Sequence, residues 1–224
     1  MLVTRDASRI TVAMKFAPEG YPFIAVSAVI SALFFWAGGT GAAAVPALIT
    51  AFMFYFFRDP ERSVPHGQGL FVAPADGKVI VVRETDENEY LHAMVRQISI
   101  FMSPMDVHVN RVPCDGKVKV VKHTKGIFLA AYNDEASVRN EHIDMVLETR
   151  YGDVLVRQVA GFVARRAVCR VSEGDVLQRG ERYGIIKFSS RVDLYVPLDA
   201  DVKVQTGDMV RAGETVLFEI GEKR

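Results

Sequence analysis

Residues 21–57 contain no Asp, Glu, Lys or Arg, and from Arg58 onward charge is frequent. That contrast separates a membrane-type segment from a water-facing remainder. One helix needs about 20 apolar residues to cross a bilayer, so this uncharged run is nearly long enough for two passes. Gly38-Gly39-Thr40-Gly41 interrupts it near the middle, which predicts a tight helical hairpin. Each arm is short, and a re-entrant hairpin, a deep interfacial anchor and a full crossing all stay open. Lys15 precedes the first arm, Arg58 and Arg62 follow the second, and the Gly-rich turn has no charge. The positive-inside bias then puts both flanks, and the domain that follows, on the cytoplasmic face of the cell membrane. A cleaved signal peptide does not fit, because a second hydrophobic half continues past any cleavage site. A hairpin buried in a soluble core would need a large partner.

Beyond the hairpin the pattern is that of strands. Lys117-Val118-Lys119-Val120 alternates polar and apolar residues, the period of a half-buried strand. Residues 143–147, 154–159, 191–196 and 215–220 are rich in β-branched and aliphatic side chains. Asp76-Gly77, Asp115-Gly116, Gly152-Asp153 and Gly174-Asp175 supply turn pairs between such runs. Only residues 133–141 look locally helical or loop-like. The prediction is a mainly β fold with an N-terminal hydrophobic helical hairpin. Residues 1–58 form the anchoring segment, with the hairpin at about 21–57, and residues 59–224 form one β-rich domain. Gly174-Asp175-Val176-Leu177-Gln178-Arg179-Gly180-Glu181 is echoed by Gly207-Asp208-Met209-Val210-Arg211-Ala212-Gly213-Glu214, offset by 33 residues. This repeat resembles the lipoyl and biotinyl carrier domains, which implies a barrel-sandwich body. A carrier presents a lysine at a hairpin tip, and neither copy has one, so the repeat speaks for architecture and against a swinging arm.

Composition narrows the function classes. A chain of 224 residues with 50% hydrophobic and 24% charged content is one globular domain plus an appendage, and too apolar for a disordered chain. Its 27 basic and 27 acidic side chains cancel to a formal net charge of +0, so no global field draws it to nucleic acid. Two cysteines, Cys114 and Cys169, make neither a disulfide framework nor a zinc knuckle, and a reducing compartment is the default. Five histidines include no H-x-H or H-x-x-x-H pair, so no metal site is expected. The stretch from Pro65-His66-Gly67 to Ala75-Asp76-Gly77-Lys78-Val79 is similar to the opening of a zinc endopeptidase that cuts cell-wall peptides, but the ligands are missing.

The remaining candidates are polar residues in apolar surroundings. Within Met102-Ser103-Pro104-Met105-Asp106-Val107-His108-Val109-Asn110-Arg111, strand alternation puts Asp106, His108 and Asn110 on one face. Three polar groups on one face are unfavourable to bury without a purpose. Taken alone, His108 reads more plainly as a hydrogen-bonded structural histidine, and Asp76-Gly77 as an ordinary turn. Ser189-Ser190 lies between two strand-like runs, where hairpins commonly use Gly or Asn.

Five motifs then occur in order: Phe57-Arg58-Asp59-Pro60, Ala73-Pro74-Ala75-Asp76-Gly77, Val107-His108-Val109-Asn110-Arg111, Gly161-Phe162-Val163-Ala164-Arg165-Arg166 and Phe188-Ser189-Ser190-Arg191-Val192-Asp193. Together they resemble the phosphatidylserine decarboxylases in their short, membrane-associated form. The resemblance implies conversion of phosphatidylserine to phosphatidylethanolamine and CO2. The carbanion left by CO2 needs an electron sink, which in this family is a Schiff base to a pyruvoyl group made from the enzyme's own serine, without pyridoxal phosphate or metal. The register of Arg191-Val192-Asp193 makes that serine Ser190, with Ser189 as the alternative. Its hydroxyl attacks the carbonyl of Ser189, and elimination and hydrolysis leave the pyruvoyl cap. The cut gives a β chain of residues 1–189 and an α chain of residues 190–224, which at 35 residues stays interleaved with its partner because it cannot form a core alone.

The same likeness assigns His108 as the base for self-cleavage and as the later proton donor, with Asp76 behind it. It leaves Arg111, where long-form relatives carry a second histidine, to hold a phosphate or carboxylate of the headgroup. Arg58, Arg62 and Arg165 or Arg166 are further cations for an anionic lipid surface, and a lipid substrate in the bilayer accounts for the anchor. Ser189 departs from the family's glycine, and its Cβ restricts the backbone at the cleavage site. A processing-impaired relative and a non-catalytic membrane-tethered adaptor on a lipoyl-like sandwich are the other readings. The oligomeric state, homo-oligomers included, stays open.

Overall fold

The computed structural model describes residues 15–133, 135–161, 167–187 and 190–221. The charge-free run forms the helix Tyr21–Phe56, broken at Gly39, where φ is 70° and ψ −163°, a conformation that glycine adopts without a Cβ penalty. Beyond the break the chain returns alongside itself. Ser31 Oγ and Thr50 Oγ1 lie 2.9 Å apart across the arms, and at the base Phe16 pairs with Arg58 as an antiparallel bridge while the Ala17 amide donates to the Phe57 carbonyl at 2.8 Å. The expected hairpin is therefore present. An arm of about 18 residues is about 27 Å long, close to the hydrocarbon thickness of a bilayer. Trp36 near the tip is 88% exposed, and Val26, Leu33, Val45 and Leu48 are also open. A helix that is apolar on all sides and uncovered by protein is consistent with membrane association.

The remainder is mainly β. Eight strands pair in the order Met209–Val210, Gly77–Glu87, Ala93–Met102, Ser190–Pro197, Gly152–Ala160, His142–Thr149, Gly116–Thr124 and Val176–Leu177. Two three-stranded sheets complete the body. One joins Leu70–Val72, Val216–Glu219 and Asp201–Val202; the other joins Val109–Arg111, Arg182–Ile186 and Ala167–Cys169. The main core includes Phe71, Ile98, Ile100, Val156 and Leu194, all fully buried. Alternation along Ser190–Pro197 sends Val192, Leu194 and Val196 into this core, and Tyr195 into a smaller cluster with Val95, Val146 and Leu155.

The 33-residue repeat is a structural one. The Gly174 amide donates to the Val118 carbonyl and the Gly207 amide to that of Val79; the Gly180 amide donates to Val112 and the Gly213 amide to Ala73. The partners repeat as well. Ala73-Pro74-Ala75-Asp76-Gly77-Lys78-Val79 and Val112-Pro113-Cys114-Asp115-Gly116-Lys117-Val118 share Pro, Asp, Gly, Lys and Val at an offset of 39 residues. Each Asp-Gly-Lys-Val turn thus docks one Gly-Asp loop of the other pair.

One local expectation needs correction. Asp106 does not alternate with His108 on a strand, because the strand begins only at Val109. Pro104 is the first central residue of a turn in which the Asp106 amide donates to the Ser103 carbonyl, and Asp106 Oδ2 accepts the Ser103 amide at 2.8 Å. The short helix Ala136–Arg139 lies in the stretch expected to be helical or loop-like.

Candidate active site

Ser190 opens its strand between Met102 on one neighbour and Ala160 on the other. It is fully buried, and its Oγ donates to Met102 Sδ at 3.3 Å. Thioether sulfur is a weak acceptor, so among the described residues the hydroxyl has no strong competing partner. Asn110 Nδ2 turns to the same sulfur at 3.7 Å, and Gln158 Nε2 donates to Asn110 Oδ1 at 2.8 Å. Ser190, Met102, Asn110 and Gln158 therefore form one buried chain of contacts. The next residue along the strand is pinned from the opposite face. Arg191 Nε donates to Asp193 Oδ1 at 2.5 Å and Arg191 Nη2 to Ser99 Oγ at 2.8 Å, while Ser137 Oγ donates to Asp193 Oδ2. Arg191 and Asp193 are both fully buried, a pairing whose desolvation is offset only with every hydrogen bond in place. Ser189, the residue on the other side of the expected cut, lies outside the described residues, as do Arg165 and Arg166.

His108 lies two residues before Asn110 and is fully buried, its ring 4.1 Å from that of Phe56 at the end of the hairpin. Its Nδ1 is 3.0 Å from the Asp106 carbonyl. A carbonyl only accepts, so Nδ1 carries the proton and Nε2 is left as a bare acceptor. That Nε2 is buried and has no hydrogen-bond partner among the described residues. Burial pushes the imidazole pKa down to about 4, with Arg58 adding to the effect and Asp106 opposing it. The ring is therefore neutral at pH 7, with its lone pair free. Such a group accepts a proton when a reacting hydroxyl is brought to it.

Asp76 does not stand behind His108 among the described residues. Its two carboxylate oxygens accept from Arg62 Nη2 at 3.0 and 2.8 Å, and Oδ1 also accepts the Ala212 amide at 2.7 Å. Its counterpart in the second repeat, Asp115, accepts the Arg179 amide at 2.7 Å. Asp76 and Asp115 thus do the same work in the two halves, each tying its turn to the opposing Gly-Asp loop. Removing Asp76 leaves a part-buried amide and a buried guanidinium short of a partner, whereas the Asp115 bond to the Arg179 amide is exposed. Asp76→Ala should cost about 3 kcal/mol of stability and Asp115→Ala about 1 kcal/mol, read as thermal unfolding of the two variants side by side. An unchanged melting temperature for Asp76→Ala would contradict the role in the turn.

Arg111 is also committed internally. Its Nη1 donates to the Gly180 carbonyl and its Nη2 to the Pro60 carbonyl, both at 2.8 Å, with Asp59 Oδ1 at 3.4 Å. It is only 5% exposed, which corrects its expected availability to a headgroup. Arg62 is held by Asp76 and Glu214, and Arg58 by the Tyr55 and Met105 carbonyls. Lys187 was not legible as a site residue. It sits at the hairpin base, with Nζ 5.3 Å from the Phe23 ring centroid. Between the hairpin arms an apolar groove of about 410 Å³, lined by Phe23, Val26, Ile30, Ile49 and Met53, leads to the same place. The hairpin base is packed onto the site by Ala17, Ile24, Phe56 and Phe57 against Val107 and Val109.

Comparison with known proteins adds a family. A family model described as phosphatidylserine decarboxylase matches residues 49–218. A phosphatidylserine decarboxylase proenzyme of Syntrophotalea carbinolica is 47% identical over 202 residues, covering 90% of this chain and 94% of that protein. Proteins of the same name from Desulfotalea psychrophila and Burkholderia ambifaria are each 43% identical over 205 residues, covering 91% of this chain and 96% and 95% of theirs.

Proposed function

This chain belongs to the phosphatidylserine decarboxylase family, and on that premise we propose that it converts phosphatidylserine to phosphatidylethanolamine and CO2 with a pyruvoyl group made from Ser190. The observation that carries the reading is a fully buried serine hydroxyl, weakly held, whose contact chain runs through Met102 to Asn110, two residues from a neutral imidazole whose Nε2 is unpartnered among the described residues. A non-catalytic adaptor is not favoured, since full-length relatives carry the enzyme's name.

In maturation, His108 Nε2 takes the hydroxyl proton and Ser190 Oγ attacks the carbonyl carbon of residue 189. The C–N bond breaks, the proton on His108 Nε2 passes to the leaving amine, and an ester joins the two parts. Loss of the Ser190 Cα proton then expels the carboxylate of residue 189 and leaves dehydroalanine, which adds water and releases ammonia. Ser190 is fully enclosed and its hydroxyl is held by a weak acceptor, Met102 Sδ, so a small planar keto group at this position gives up no strong hydrogen bond. When formed, the group supplies a carbonyl that draws the electron pair left by CO2. Arg191, anchored to Asp193 and Ser99, holds the new chain end in place. His108 Nε2, bare in the resting ring, takes a proton from the substrate ammonium and later delivers it to the substrate carbon.

The hairpin serves as a membrane anchor that keeps the mouth of the site at the headgroup plane on the cytoplasmic face, so the lipid need not leave the bilayer. The apolar groove beside Phe23 offers an acyl chain a path to the site, and Lys187 a cation for the phosphate. Purified protein should release CO2 from phosphatidylserine in mixed micelles, and hydroxylamine should abolish the release by blocking the keto group. Release that survives hydroxylamine would argue against the pyruvoyl reading.

The buried imidazole also sets a pH dependence. A histidine near 6.5 would be about nine-tenths protonated at pH 5.5, whereas His108, with its pKa lowered to about 4, stays neutral there. The rate of self-cleavage should therefore hold within about twofold from pH 7.5 to 5.5 and fall only as pH approaches 4. A tenfold loss by pH 5.5, followed by gel analysis of the splitting precursor, would contradict this.

A further inference from the structure

Gln158 lies in the strand Gly152–Ala160, which pairs directly with Ser190–Pro197. It stands opposite Val192, and Ala160, two residues on, stands opposite Ser190. The diagonal from 158 to 190 is therefore about 7–8 Å, within reach of a glutamine side chain. Gln158 is 1% exposed. Its amide orientation follows from its neighbours. Asn110 Nδ2 faces Met102 Sδ, which also receives the Ser190 hydroxyl proton, so Asn110 turns Oδ1 toward Gln158 and takes the Nε2 proton. A reversed Gln158 amide would set two oxygens against each other. Oε1 is thus left as a buried acceptor with no donor among the described residues, an arrangement that is unfavourable to folding.

Resting on the reading of Ser190 as the source of the keto group, we propose that Gln158 Oε1 accepts an N–H of the substrate's amine and aims its nitrogen at the carbonyl carbon of residue 190. The amine brings the donor that the buried oxygen lacks. Because the acceptor is an uncharged amide, it orients the nitrogen without binding its proton as a carboxylate would. Gln158 then touches substrate, and self-cleavage proceeds without it.

The test follows covalent capture rather than CO2. Full-length protein in mixed micelles with phosphatidylserine is treated with cyanoborohydride, and the mass of the 190–224 chain reports lipid joined to it. Hydroxylamine titration counts the keto group separately. Gln158→Met removes both amide atoms at similar volume, and Gln158→Glu, held protonated by burial, donates its O–H to Asn110 Oδ1 and keeps an acceptor oxygen in place of Oε1. We expect the Met variant to split and to carry the wild-type carbonyl content, but to be captured ten- to hundredfold more slowly. The Glu variant should recover to within about threefold. Capture of the Met variant at the wild-type rate overturns the role of Gln158 alone. Lack of a carbonyl in the unaltered protein overturns the reading of Ser190, and this inference with it. If the Met variant does not split, the Glu variant decides: capture within threefold supports the assignment, and a tenfold loss overturns it.

Discussion

Ser190→Ala should leave a single chain of 24.8 kDa that releases no CO2 from phosphatidylserine. The expected loss is complete because one hydroxyl serves two steps: it is the nucleophile that breaks the backbone and the source of the keto group that later draws electrons. Folding should survive the change. Ser190 Oγ makes one hydrogen bond, to a sulfur, and an alanine fits the same buried space, so stability should move by no more than about 1 kcal/mol. A folded, unsplit and inactive chain, judged by gel and thermal unfolding, is the predicted combination. Splitting that persists would move the nucleophile to Ser189.

His108→Ala should give the second largest effect. Without a base the precursor should split about 10²- to 10⁴-fold more slowly and accumulate on the timescale of expression. The alanine also opens a cavity beneath Phe56, whose ring is 4.1 Å from that of His108, so a loss of splitting could reflect packing. His108→Gln separates the two causes, since its amide fills much of the space but is not a base at neutral pH. Both variants should stall, and the Gln variant should do so with near-native thermal stability. Normal splitting of a stable His108→Gln chain would remove the histidine from maturation.

The parts of this molecule legible from sequence are those that local chemistry dictates. The hairpin follows from an absence of charge and a break at glycines, and Gly39 takes the left-handed φ that such a break requires. The β body follows from turn pairs and β-branched runs. The 33-residue repeat is legible because its glycines sit at fixed offsets, whereas the Asp-Gly-Lys-Val repeat it docks against is set among flanking residues of different size.

Side-chain partners distant in sequence were less accessible. An Asp-Gly pair looks the same whether its carboxylate backs an imidazole or ties down a loop, and the Asp76 contact that decides the matter is with an amide 136 residues away. The same applies to Arg111, whose partners Pro60 and Gly180 lie 51 and 69 residues away. Gln158 carried no signal at all, because its strand is buried on both faces from Val154 onward and alternation cannot single out one polar residue there. The tautomer of His108, which leaves Nε2 bare, depends on a turn that Pro104 and Asp106 build and that a strand pattern obscures.

The central claim is that a serine inside the folded body becomes a keto group at a new chain end, and the intact mass of the purified protein tests it most directly. The account predicts two chains, the smaller spanning residues 190–224, resistant to N-terminal sequencing and shifted in mass by one hydroxylamine adduct. A protein that releases CO2 from phosphatidylserine as one uncut chain, or as two chains whose smaller member begins with an ordinary amine, would contradict it.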